Sequence, residues 1–242
     1  MNSGGMARVS MRNGAVVAGF GLLLMTILAI YANFAVLETL IVPGNAAATS
    51  SNIAASLGQF RLATGCLLVI AMLDIAVAWG LYIVLAPASR ALSLLAAWFR
   101  VAYAAVFASA LANLARVPQL LDGQGYSSAF SAEQMSAQVM GSVDAFTSGW
   151  GLGLGVFGVH LLLVGYVASR ATYVPKWLGA VLLLAGLGYL VDSLGKVLSA
   201  GYGLEITMFT FVGELLLLFW LLWKGFKGFS TELEAAAQTA SG

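Results

Sequence analysis

The chain has 242 residues, of which 61% are hydrophobic and only 9% are charged. A soluble domain has about 25% charged residues, so this composition excludes a fully water-facing surface and favours a lipid-facing exterior. The net charge of +1 gives no electrostatic footprint for nucleic-acid binding. The single cysteine, Cys66, excludes an intramolecular disulfide framework and a cysteine-based zinc site.

Six apolar stretches are each long enough to cross a bilayer of roughly 30 Å as a helix of about 20 residues. They lie at residues 15–37, 62–86, 91–115, 147–169, 177–198 and 206–224. None has the alternating pattern of a membrane barrel strand. The sequence therefore predicts an all-α integral membrane bundle of six transmembrane helices at 15–228, with an N-terminal segment at 1–14 and a flexible polar tail at 229–242.

The segments at 38–60 and 130–146 do not span. The first is predicted to be a loop followed by a short helix that begins near Ser51. The second opens with Ser131 and Gln134 at the spacing of a capping box. It predicts an extra outer amphipathic helix, which either lies on the outer surface or runs into the fourth span.

The basic residues are distributed unevenly between the two sides of the predicted bundle. One side carries Arg8, Arg12, Arg90, Arg170, Lys176, Lys224 and Lys227, and the other carries Arg61, Arg116 and Lys196. Cytoplasmic loops are enriched in Lys and Arg. The sequence therefore predicts a protein of the cell membrane (the bacterial inner membrane) with both termini in the cytoplasm.

Ionisable side chains inside spans are costly, and they normally face the bundle interior, where they mark sites. Such residues occur in five of the six predicted spans, and two tyrosines share their helix faces. The predicted ligand-binding site or buried polar network consists of Asp74, Arg100, Tyr103, His160, Tyr189, Asp192, Lys196 and Glu214.

The first predicted contact of this network is an ion pair between Arg100 and Asp74. The link of a few residues between spans two and three makes these helices antiparallel neighbours, and both residues lie near mid-span. Glu214 is the second candidate partner of Arg100. Asp192 and Lys196 have the spacing of a pair within one helix.

The network has two main interpretations. It lines a pocket that binds a small polar or amphiphilic molecule, a lipid included, and allows its transport; Arg100 then holds an anionic group, and Asp192, Lys196 and Glu214 line the outer entrance. Alternatively, the chain is a structural or accessory membrane protein whose ion pairs only fix helix packing. Oligomers and membrane-complex partners are compatible with both.

A third interpretation is an intramembrane enzyme that uses His160 with an acid. It is the weakest, because the sequence contains no nucleophile elbow and no zinc-protease motif. No metal or cofactor is predicted, since a single histidine excludes a haem with two axial histidines.

Residues 61–101, "RLATGCLLVIAMLDIAVAWGLYIVLAPASRALSLLAAWFRV", resemble the central signature of a bacterial multi-pass membrane family, domain of unknown function 4386. The segments "IVPGNAAATSSNI", "VFGVHLLLVGYVASRATYVPKWLGAVLLLAGLGYLVDSLG" and "GELLLLFWLLWKG" resemble its other blocks in the same order. The resemblance covers roughly residues 12–228. It implies an integral membrane protein and carries no activity, substrate or cofactor.

Overall fold

The computed structural model describes residues 10–122, 128–199, 201–207 and 212–230, and it contains no strand within these ranges. The first long helix comprises α1 (Met11–Ala29), a π-helical segment (Ile30–Leu37) and the single turn α2 (Glu38–Leu40). The helices that follow are α3 (Ala46–Ala55), α4 (Leu57–Leu85), α5 (Arg90–Leu121), α6 (Ala132–Arg170), α7 (Lys176–Leu198) and α8 (Val212–Lys227). The all-α fold predicted from the sequence is confirmed.

Five helices are long and apolar enough to cross a membrane: Met11–Leu40, Leu57–Leu85, Arg90–Leu121, Ala132–Arg170 and Lys176–Leu198. The sixth predicted span, 206–224, lies partly outside the described residues. Its described helix, α8, has 16 residues, about 24 Å at 1.5 Å per residue. That length is shorter than the hydrocarbon core of a bilayer, so the described helices show five candidate spans.

The second non-spanning segment is the start of a longer helix. Residues 132–146 begin α6, which continues unbroken to Arg170. The capping box at its start is formed, because the Ser131 amide donates to Gln134 Oε1 at 2.9 Å and the Gln134 amide donates to Ser131 Oγ at 3.2 Å. The segment is therefore not an extra helix, and it runs into the fourth span.

The short helix α3 begins earlier than the sequence predicted. It starts at Ala46, and not near Ser51, because the Asn45 side chain accepts a hydrogen bond from the Ala48 amide at 2.9 Å. Asparagine is a favoured residue at this capping position. The prediction was wrong because it overlooked Asn45 as a start signal.

The chain divides into two compact units. Unit 1 consists of the described parts of Met1–Leu23, Asp74–Tyr103 and Leu154–Gly242, and unit 2 consists of those of Leu24–Leu73 and Ala104–Gly153. All eight residues of the predicted polar network belong to unit 1. In unit 2, an aromatic cluster of Phe107, Phe146 and Trp150 has ring centroids 5.6 to 6.3 Å apart.

Glycines allow the helices of unit 1 to approach closely. A Cβ on Gly186 of α7 would lie 2.7 Å from the Gly158 carbonyl oxygen of α6. A Cβ on Gly80 of α4 would lie 2.6 Å from the Gly14 carbonyl oxygen of α1. Small residues at such crossings bring backbones together, as in membrane helix pairs. This close packing holds the helices that carry the polar residues.

Candidate functional site

Arg100 forms a buried ion pair with Asp74. Arg100 Nη2 lies 2.7 Å from Asp74 Oδ1, and the two side chains are only 2% and 1% exposed. Asp74 lies 11 residues before the end of α4 and Arg100 lies 10 residues after the start of α5. The two helices are antiparallel neighbours, so the residues reach the same height. The structure thus contains the contact that the sequence predicts.

His160 of α6 connects this ion pair to the backbone of α5. His160 Nδ1 lies 2.9 Å from the Ala96 carbonyl oxygen, and His160 Nε2 lies 3.3 Å from Arg100 Nη1. A carbonyl only accepts and a guanidinium only donates, so Nδ1 carries the proton and Nε2 accepts. The imidazole is therefore neutral and adds no charge to the network.

Both ring nitrogens of His160 are occupied, and the residue is 1% exposed. The enzyme interpretation requires an imidazole that reaches a substrate. In this structure His160 is not available for that role, and its contacts orient Arg100.

Phe157 is the central aromatic residue of the site. Its ring centroid lies 5.2 Å from Arg100 Cζ, a cation–π distance. The rings of Tyr103 and Tyr189 pack against it at 4.9 and 5.5 Å. Sequence reasoning missed Phe157, although it precedes His160 by three residues and therefore shares its helix face.

Glu214 lies in the first turn of α8 and is half-buried. The Tyr189 hydroxyl donates a hydrogen bond to Glu214 Oε1 at 2.7 Å. In the part of the chain that the structure describes, no basic group lies within 4.0 Å of this carboxyl. The sequence offered Glu214 as the second candidate partner of Arg100. In the structure, Arg100 instead forms its ion pair with Asp74.

Asp192 is held by the connection that follows α7. Its carboxylate accepts hydrogen bonds from the Tyr202 hydroxyl at 2.6 Å, the Ile206 amide at 3.1 Å and the Thr207 amide at 2.7 Å. Lys196 is exposed and forms no ion pair with Asp192. The spacing of Asp192 and Lys196 is thus not used for a pair within the helix, because three donors from outside the helix satisfy the carboxylate.

Residues 17–225 of this chain match a family described as "Domain of unknown function (DUF4386)". The chain belongs to this family. It is also 37% identical over 158 residues to an uncharacterized protein of Archaeoglobus fulgidus. This alignment covers 65% of this chain and 80% of that relative. No solved structure matches the chain. The match to DUF4386 confirms the family resemblance inferred from the sequence, and it includes every residue of the predicted network.

The DUF4386 segment contains no described group of three or more His, Cys, Asp or Glu side chains that could hold a metal. Its polar residues instead form separate contacts: the ion pair with His160, the Tyr189–Glu214 hydrogen bond and the donors around Asp192. Phe157 lies between the first two of these.

Tyr202 gives a test of the Asp192 contact. The hydrogen bond from its hydroxyl to Asp192 raises the pKa of Tyr202 to about 12. Because the pKa of a tyrosine in an unfolded chain is about 10, this bond stabilises the fold fully below about pH 10. Its contribution is lost as the pH rises through about 12.

We expect Asp192→Asn to lower the pH at which one tyrosine ionises, from about 12 towards about 10. The measurement is an alkaline titration of phenolate absorbance on the protein in detergent. Tyr202→Phe is the control, since it removes the hydroxyl whose ionisation is expected to shift. Identical titrations of the wild type and Asp192→Asn would contradict the contact.

Proposed function

We propose that this DUF4386 protein is a six-span protein of the cell membrane, with both termini in the cytoplasm, that binds a small amphiphilic molecule beside Glu214. The observation that carries the proposal is the burial and the set of contacts of the Glu214 carboxyl. It is half-buried, accepts one hydrogen bond from Tyr189, and has no described basic group within 4.0 Å. Carboxyls inside membrane spans mark functional sites by default.

Apolar side chains exposed on the helices of unit 1 support the membrane location. Trp98, Leu184 and Phe219 are 65%, 60% and 63% exposed. A lipid environment removes the cost of exposing such side chains to water. Phe219 lies on α8, which supports this helix as part of a sixth span.

The ion pair of Arg100 and Asp74 has a structural role next to the proposed site and does not contact the ligand. Sequence reasoning expected Arg100 to hold an anionic group, but its guanidinium contacts Asp74, His160 and the Phe157 ring. A transport path through this layer would require Asp74 and Arg100 to separate. Binding is therefore the function that the geometry favours.

The surroundings of Glu214 favour a ligand with a protonated amine. An ionised carboxylate only accepts hydrogen bonds, so it is complemented by a donor group. The Tyr189 hydroxyl contacts Glu214, and the Tyr189 ring packs on Phe157. Aromatic faces next to a carboxylate attract cations, and an alkyl chain on the amine would lie in the lipid.

The test is thermal unfolding of the purified protein in a non-ionic detergent with octylamine, octanol or octanoate. These probes share one chain length and differ in their polar group. We expect octylamine to stabilise the wild type by about 1.4 kcal/mol at about ten times its Kd, and octanoate to give no such stabilisation.

Glu214→Gln is expected to abolish the octylamine effect, while Glu205→Gln is expected to retain it. Glu205 is exposed and lies in the connection before α8, so the control makes the same change of charge. Equal shifts from all three probes, or a shift that persists in Glu214→Gln, would contradict binding at this carboxyl. Such results would leave the interpretation of a structural or accessory membrane protein.

A further inference from the structure

One end of unit 1 collects basic side chains from several helices. We name it the basic face: Arg12 at the start of α1, Arg170 at the end of α6, Lys176 at the start of α7, and Lys224 and Lys227 at the end of α8. Arg12, Arg170, Lys176 and Lys227 are exposed, and Lys224 is half-buried.

Three contacts show that these helix ends lie together. Arg12 Nε donates a hydrogen bond to the Gly225 carbonyl at 3.1 Å, which joins the start of α1 to the end of α8. The Tyr173 hydroxyl donates to the Val84 carbonyl at 2.8 Å, which joins the α6–α7 loop to the end of α4. The Tyr173 and Phe229 rings meet edge to face at 6.0 Å.

The described carboxylates of unit 1 lie far from the basic face. Asp74 is 11 residues from the end of α4, or about 16 Å along the helix. Glu214 is 13 residues from the end of α8, and Asp192 is 16 residues from the start of α7. Glu205 lies beyond the other end of α7. The described part of the basic face is thus strongly positive.

Aromatic rings lie beside these cations. Lys224 Nζ lies 4.9 Å from the Trp223 ring centroid and 5.0 Å from that of Phe229, and Lys227 Nζ lies 5.1 Å from the Trp223 ring. Trp223 and Phe226 are 50% and 73% exposed. Exposed aromatic residues next to Lys and Arg are typical of the level of lipid headgroups.

We propose that the basic face binds the headgroups of anionic phospholipids. The cations supply charge for a phosphate group, and the exposed rings of Trp223 and Phe226 contact the lipid chains next to it. A free phosphate ion would use only the first of these features. The ligand class is therefore an anionic lipid, and the inference is independent of ligand binding at Glu214.

The test compares lipid binding by the purified protein with dioleoylphosphatidylglycerol and dioleoylphosphatidylcholine, counted by native mass spectrometry over a lipid titration. The variant replaces Lys176, Lys224 and Lys227 with Gln. We expect its apparent affinity for phosphatidylglycerol to fall about fivefold for each lysine removed, since a cation near a membrane surface contributes about 1 kcal/mol. Binding of phosphatidylcholine is expected to stay unchanged.

The matched control replaces Arg61, Arg116 and Lys196 with Gln, which removes the same charge outside the basic face. It is expected to retain phosphatidylglycerol binding. Lys227→Gln alone, at an exposed position, gives a readout of about fivefold if the triple variant fails to fold. Equal losses in variant and control, equal binding of the two lipids, or displacement by millimolar inorganic phosphate would overturn the proposal.

Discussion

Asp74→Asn is expected to destabilise the protein by about 3–5 kcal/mol, because it leaves the guanidinium of Arg100 buried without a counter-charge. Arg100 is 2% exposed, so water cannot solvate it. The neutral His160 occupies one of its nitrogens but supplies no negative charge. The measurement is equilibrium unfolding in mixed detergent and denaturant.

Two controls distinguish an uncompensated charge from general damage to the core. Asp122→Asn makes the same substitution at an exposed position and is expected to change stability by less than about 0.5 kcal/mol. Asp74→Leu combined with Arg100→Met removes both charges, and it is expected to cost less than Asp74→Asn. A double variant that is less stable than the single variant would show that the pair stabilises the fold by attraction itself.

The ion pair was predictable from sequence because its geometry depends only on the length of one link and on the rise per residue of a helix. A link of four residues, 86–89, makes α4 and α5 neighbours. The rise per residue then places Asp74 and Arg100 at one height. Neither step requires knowledge of distant parts of the chain.

The contacts of Asp192 depend on an irregular connection and could not be predicted in this way. Its donors, Tyr202, Ile206 and Thr207, follow the end of α7. The path of such a segment leaves no periodic signal in the sequence. The spacing of Asp192 and Lys196 indicated a local pair, but spacing alone does not reveal competing donors.

Five of the six predicted spans coincide with helices long and apolar enough to cross a membrane, whereas the ends of these helices could not be predicted. An apolar run shows where a helix crosses lipid, but a helix continues beyond the bilayer wherever its backbone remains satisfied. α5 extends to Leu121, past the predicted end at 115, and α6 begins at Ala132, before the predicted start at 147. Composition indicates which part of a helix suits lipid, whereas a capping residue such as Ser131 marks where the helix begins.

Gly179→Ala is the second substitution with a large expected effect. A Cβ on Gly179 of α7 would lie 2.7 Å from the Ser169 amide nitrogen and 2.8 Å from the Gly165 carbonyl oxygen, both in α6. These are backbone atoms, so no side-chain rotation can make room. We expect a loss of about 1–3 kcal/mol from overpacking, against a gain in helix propensity of up to about 1 kcal/mol.

The measurement is thermal unfolding in detergent, with Gly141→Ala as the control. Gly141 also lies within α6, but a Cβ there would meet nothing within 4 Å, so we expect this variant to be as stable as the wild type or up to about 1 kcal/mol more stable. Equal stability of Gly179→Ala and Gly141→Ala would mean that α6 and α7 do not pack at this distance.

A second substitution on the facing helix tests whether the loss arises from helix separation. A Cβ on Gly165 would lie 2.8 Å from the Leu183 amide nitrogen and 2.9 Å from the Gly179 carbonyl oxygen. Once Gly179→Ala has moved α6 and α7 apart, Gly165→Ala meets less resistance. The double variant should therefore lose less stability than the two single variants together. Strictly additive losses of stability would mean that each clash relaxes locally. They would contradict a common separation of α6 and α7.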